Sequence, residues 1–159
     1  MSFLAKAVPA GAAKTNNVAA IALGLAVIFI GLATAQLFSY EDFAKVIELT
    51  WIPGGIKSAT IFVAFIVVFE VFALPFLLRM NVSSLMRWVS MISGWVTLGM
   101  WLSLTLWENL STNPIGSAGI LGATISTPVG WWTTLVFMAA AVLAGWVSWG
   151  MWPTSHKNM

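Results

Sequence analysis

Apolar residues in this chain gather into four long stretches, at 18–38, 56–78, 88–107 and 131–152, with short polar connections between them. Each is about 20 residues long. At about 1.5 Å per helical residue that matches a hydrocarbon core about 30 Å thick. Lipid offers the backbone no hydrogen-bond partners, so stretches of this kind are helices rather than strands. The pattern predicts an all-α integral membrane four-helix bundle, with residues 1–159 forming a single transmembrane domain.

The connections differ in character. Over 39–50, Phe43, Val46, Ile47 and Thr50 recur at i, i+3, i+4 and i+7, opposite Glu41, Asp42, Lys45 and Glu48. This spacing predicts a short interfacial helix between helices one and two, its apolar face turned inward. Trp51-Ile52-Pro53-Gly54-Gly55 then breaks it. The last connection, 109–130, is rich in Gly, Ser, Thr and Pro and is expected to have little to order it without a partner. At the start, Lys6, Lys14, the apolar run and Ala33-Thr34-Ala35 imitate a signal peptide. The run continues through Leu37 and Phe38, long enough to span, and reads as the first transmembrane helix.

Composition narrows the function classes. The chain is 60% hydrophobic and 8% charged, against about 25% charged in soluble domains. A net charge of +2, thinly spread, gives no basic patch, so nucleic acid is not an expected partner. There is no cysteine, which removes thiol exchange, thiolate metal sites and iron–sulfur ligation by this chain alone. The one histidine, His156, lies beyond the last stretch, so haem held between two histidines inside the bundle is excluded and no cofactor is expected on the chain's own ligands.

Glu70 is the one ionisable residue well inside a predicted span. A carboxyl there costs several kcal/mol unless it is neutral, paired or facing water, which makes it a functional candidate. It is expected to be buried between helices and neutral, since Arg79, nine residues on, is about 13 Å away along a straight helix. The alternative is a purely structural role, a neutral Glu70 hydrogen-bonded to a Ser or Thr on a neighbouring helix and fixing the packing. Gln36 is the other sizeable polar side chain within a span and a plausible neighbour. Gly24, Gly31 and Ala35 on the first helix are read as a close-packing face. So are Ser90, Gly94, Thr97 and Thr105 on the third, and Thr133, Phe137, Ala140, Ala141, Ala144, Gly145 and Ser148 on the fourth. Of ten tryptophans, Trp51, Trp107, Trp131, Trp132, Trp149 and Trp152 suit the membrane interfaces, with Trp88 at the inner end of helix three. Trp95, Trp101 and Trp146 lie deeper. They are suited to packing against partner helices, or to contacts with a quinone, pigment or lipid tail alongside Glu70 and Gln36.

The order of features resembles the DoxX/MauE-like superfamily of small four-helix membrane proteins. The resemblance rests on Gly31-Leu32, on Phe43-Ala44-Lys45-Val46-Ile47 and Trp51-Ile52-Pro53, and on Glu70 followed by Leu77-Leu78-Arg79, similar to that family's "E…LL…R" pattern. It covers about residues 18 to 107. Where that family often carries a lysine near the end of helix one, this chain has Gln36, so a charge partner for Glu70 is missing. The resemblance implies an accessory subunit of a membrane redox system. Three readings follow: a non-catalytic subunit packed against other membrane subunits of a hetero-oligomeric complex and against lipid; a quinone- or lipid-binding redox subunit in which Glu70 handles a proton; and a small transporter. Four helices give little pore and no inverted repeat is evident, which counts against the third.

Lys6, Lys14, Arg79, Arg87 and Lys157 fall on one side of the predicted topology, Lys45 and Lys57 on the other. Five basic residues against two place both termini in the cytoplasm, in a bacterial inner membrane. Ser117→Cys, in a chain without other cysteines, is accordingly expected to react with a membrane-impermeant thiol reagent in intact cells. Reaction only after lysis would reverse the orientation.

Overall fold

The computed structural model describes residues 7, 9–10, 12–49, 54–111, 117, 119–128 and 130–152. Among these the chain is all-helical: α1 (Asn16–Phe38), α2 (Tyr40–Glu48), α3 (Gly55–Leu77), α4 (Ser84–Leu110) and α5 (Trp131–Gly150). Four of them, all but α2, are long and apolar enough to cross a membrane. They run up and down in turn. α1 lies between α3 and α5, and α4 closes the ring opposite α1. Lys14 N–H donates to Gly150 O at 3.2 Å, so the start of α1 and the end of α5 share one end of the bundle. Lys14, Arg79 and Arg87 belong to that basic end. Glu41, Asp42, Lys45, Glu48 and Lys57 belong to the opposite, loop end.

Local chemistry sets the helix ends. Thr15 and Ser83 cap α1 and α4, accepting from Val18 N–H and Met86 N–H at 3.3 and 3.2 Å. α3 closes in a Schellman motif: Met80 N–H reaches Pro75 O and Arg79 N–H reaches Phe76 O. Arg79 itself takes the left-handed turn, at φ 55. Pro75 interrupts the last turns of α3, and Ser90 of α4 repairs the break. Its hydroxyl accepts from Phe76 N–H at 2.8 Å and donates to Ala73 O at 3.1 Å.

Each spanning helix buries one stripe and leaves large apolar side chains such as Val27, Phe65, Val142 and Trp146 outside. That is the surface lipid requires. Trp88 and Trp152 meet edge to face at 5.0 Å at the basic end, where Lys14 sits 3.9 Å above the Trp149 ring. These rings gather at the basic end of the bundle.

Several expectations need correction. The third span is longer than 88–107, since Ser83 starts it earlier and it continues to Leu110. The interfacial helix forms, but its buried face is Phe43, Ala44 and Ile47, while Val46 is only half-buried. Thr50 and the Trp51-Ile52-Pro53 breaker lie outside the described residues, as do Lys6, His156 and Lys157. The exposed Lys45–Asp42 pair at 2.7 Å holds the Lys45 ammonium above its ordinary pKa through that hydrogen bond and charge, and contributes little stability.

The supposed packing face of α1 is also on the wrong side. Gly24 and Gly31 point outward with nothing within 4 Å of a built Cβ. The inward stripe is Val18, Ala22, Leu25, Ala26, Phe29, Leu32, Ala33 and Gln36. Larger residues won that face because they fill the space between four helices, which glycine cannot. The small-residue faces of α4 and α5 do point inward. Finally, the last connection is not loose where it is described. Gly119 and Gly122, at φ 64 and 69, bring it onto the α1–α2 corner, where a Cβ on Gly122 would collide with Ser39 Oγ and Ala35 O. Ala123 N–H donates to Ser39 Oγ at 2.9 Å. The ordering partner is the chain itself.

The close approach of α1 to α5 runs through Gly150, where a Cβ would stand 2.5–2.6 Å from the methyls of buried Val18. Gly150→Ala is expected to cost about 1–3 kcal/mol through overpacking. Gly24→Ala and Gly31→Ala should leave stability unchanged or raise it. Thermal unfolding of the three variants in detergent checks this order.

Candidate functional site

A polar cluster that joins three helices centres on Glu70. α3 carries the side chain fully buried into the ring of helices. Its Oε1 accepts from Gln36 Nε2 of α1 at 3.2 Å and from the Trp101 indole N–H of α4 at 3.1 Å. The same Gln36 amide donates to Ile120 O of the last connection at 3.3 Å. Trp101 stacks on Phe137 of α5, with centroids 5.5 Å apart, and on Phe43 of α2 at 6.4 Å. Every helix therefore reaches this level, by hydrogen bond or by ring.

With two acceptors facing its nitrogen, the Gln36 amide can only be oriented as it is. That leaves Gln36 Oε1 without a hydrogen bond among the described residues. Glu70 Oε2 and Thr97 Oγ1 are unpartnered too. Thr97 stands level with Glu70: Gly94 faces Ala73 across the α3–α4 contact, and Thr97 and Glu70 each lie three residues beyond that pair, on the loop-end side. Chemically, Oε1 is held as a doubly bonded acceptor, and Oε2 is the atom at which a proton can be placed or removed.

The candidate contact residues divide. Glu70, Gln36 and Trp101 meet. Trp95 does not: it is 41% exposed and donates to Ser148 Oγ of α5 at 3.1 Å, nearer the basic end. Trp101 is fully buried and makes its ring contacts within the chain, whereas Trp146 faces outward. Arg79 sits at the exposed end of α3, away from Glu70, as the helix length requires.

One residue was missed. Glu108 is 4% exposed, with Oε2 unpartnered, on the inward face of α4. Ending the span at residue 107 hid it. The spacing Trp101, Leu104, Thr105, Glu108, at i, i+3, i+4 and i+7, puts it on the same face as the tryptophan. No group of three His, Cys, Asp or Glu able to hold a metal occurs among the described residues.

Fold and site together define an α-helical bundle with four membrane-crossing helices, organised around a buried carboxyl. Comparison with protein-family models, curated proteins and solved structures finds no match.

The hydrogen bonds rank the expected effects of substitution. Glu70→Gln keeps an acceptor for both donors and should cost under about 1 kcal/mol. Gln36→Leu strips one donor from Glu70 and the partner from Ile120 O, and should cost about 2 kcal/mol. Glu70→Leu strands two buried N–H donors and should cost at least as much. Denaturant titration in mixed micelles reads the order.

Proposed function

We propose that this chain is a non-catalytic accessory subunit of a larger membrane assembly. The observation that carries this reading is how the interior is used: Glu70 Oε1 is engaged by Gln36 and Trp101, and Trp101 by Phe43 and Phe137, so these groups hold the bundle's own helices. The outer face of α5, with Trp131, Trp132, Trp146 and Trp149 about half exposed, offers broad aromatic area to lipid or to a neighbouring subunit. The resemblance to the DoxX/MauE-like superfamily supports a redox assembly of the bacterial inner membrane.

A second reading has its own support. Unpartnered Glu70 Oε2 favours a proton-handling group in a quinone- or lipid-binding redox subunit. One experiment separates the two. After gentle detergent extraction and mass spectrometry, stoichiometric copurification of other membrane subunits is expected. A lone chain carrying one quinone per protein would overturn the first reading in favour of the second. A lone chain with neither quinone nor stoichiometric lipid would overturn both.

A further inference from the structure

Of five buried side-chain oxygens without partners among the described residues, three belong to residues at one level of the bundle on three helices, Glu70 Oε2 on α3, Gln36 Oε1 on α1 and Thr97 Oγ1 on α4, while Glu108 Oε2 and Thr127 Oγ1 lie elsewhere. All three residues are fully buried. Buried polar groups are almost always hydrogen-bonded, so orphans gathered in one place point to a small polar guest. Thr97 makes the point most sharply. Thr34, Thr60, Ser93, Ser103 and Thr105 all return their hydroxyls to the carbonyl four residues back. Thr97, in the middle of α4, does not.

We propose that Glu70, Gln36 and Thr97 hold one water molecule, and that this water exchanges a proton between Glu70 and the basic end of the bundle. The match is stoichiometric. The two oxygens of Glu70 and Gln36 accept the two water hydrogens, and the Thr97 hydroxyl donates to the water lone pair. Three hydrogen bonds is the usual complement of a buried water.

Two cavities lie on the basic-end side. Directly toward the basic end lies a cavity of about 20 Å³ lined by Phe29, Ala73, Phe76, Gly94 and Leu98, large enough for a water. Phe76 also lines a second, smaller recess with Pro75, Arg79, Arg87 and Met151, at the basic end itself. Phe76 thus lines both. Toward the loop end, Gln36 is tied to Ile120 O, and Phe43, Trp101 and Phe137 form a buried ring layer.

The proton step balances simply: hydronium arriving past Phe76 gives its proton through the bound water to Oε2, so carboxylate and hydronium become carboxylic acid and water. Oε1 keeps both N–H bonds in either state, so uptake does not dismantle the node. Among the described residues the level itself holds no other titratable group. Glu108 stands about three turns beyond Thr97 on the same face of α4, Tyr40 of α2 donates to Thr60 O, α5 contributes Phe137, and Arg79 and Arg87 stand at the basic end.

The inference deepens the proton-handling reading of Glu70 and does not depend on what the chain assembles with, so copurification and exchange can fail separately. The test is infrared spectroscopy of the full chain in liposomes, transferred from H₂O to D₂O. The Glu70 carboxylic C=O band, identified by its loss in Glu70→Gln, is expected to shift as it exchanges. Phe76→Ala should speed that exchange at least tenfold and Ile120→Ala should leave it unchanged. Thr97→Val should slow it at least tenfold and remove the O–H stretch of the bound water, while Thr97→Ser retains both. An absent or non-exchanging Glu70 band, equal rates in Thr97→Val and wild type, or acceleration by Ile120→Ala instead of Phe76→Ala would overturn the proposal.

Discussion

A carboxyl group in the middle of a hydrocarbon layer has to find its hydrogen bonds inside the protein, and in this chain that requirement fixes where the helices stand. Apolar contacts between helices discriminate poorly in lipid, because the tails are as apolar as Leu or Val. Polar contacts do discriminate. Gln36 sets the rotation of α1 and Trp101 that of α4, since only one register lets both N–H groups reach Glu70 Oε1. Phe137 and Phe43 then seat α5 and α2 against the indole.

The node also shows how two helices of equal length are offset along the bundle. α1 ends two residues after Gln36, about 3 Å along its axis, whereas α3 extends 15 residues from Glu70 back to Gly55, about 22 Å. Above α1 the ring of helices would stand open at the loop end. α2 lies against α3 with Phe43 and Ile47 fully buried, and the segment around Ile120 docks on the corner between α1 and α2. An interfacial helix and a glycine-bearing connection thus complete a bundle that four spans leave unfinished.

Much of this was legible in the sequence, for a physical reason: the 30 Å core fixes span length, and period 3.6 fixes faces. Four spans, the inward Phe43 and Ile47, a buried Glu70 and its neighbour Gln36 all follow from those two rules. What escaped depends on partners that spacing does not encode. Gly24 and Gly31 suit a close helix crossing, but the crossing that forms uses Gly150 against Val18. Trp95 and Trp101 are six residues apart, 600° around a helix at 100° per residue, so they point to different sides. One meets Glu70 and the other Ser148. Glu108 was hidden by an aromatic residue taken for the membrane boundary. The docking of 119–123 rests on left-handed glycines and on a hydroxyl of Ser39, signals too short to read without the corner they fit.

The accessory and proton-handling readings of Glu70 are compatible in energetic terms. Because Oε1 carries both structural hydrogen bonds and Oε2 neither, a change of protonation leaves the helix contacts in place. What changes is charge. At an effective dielectric constant of about 20, a unit charge shifts another 10 Å away by about 1.7 kcal/mol, more than a factor of ten in an equilibrium constant. A rigid subunit can therefore hold its shape against its neighbours and still act on a redox or titrating group across the interface. Such action would be electrostatic, set by distance from Glu70, and would require no movement of the bundle.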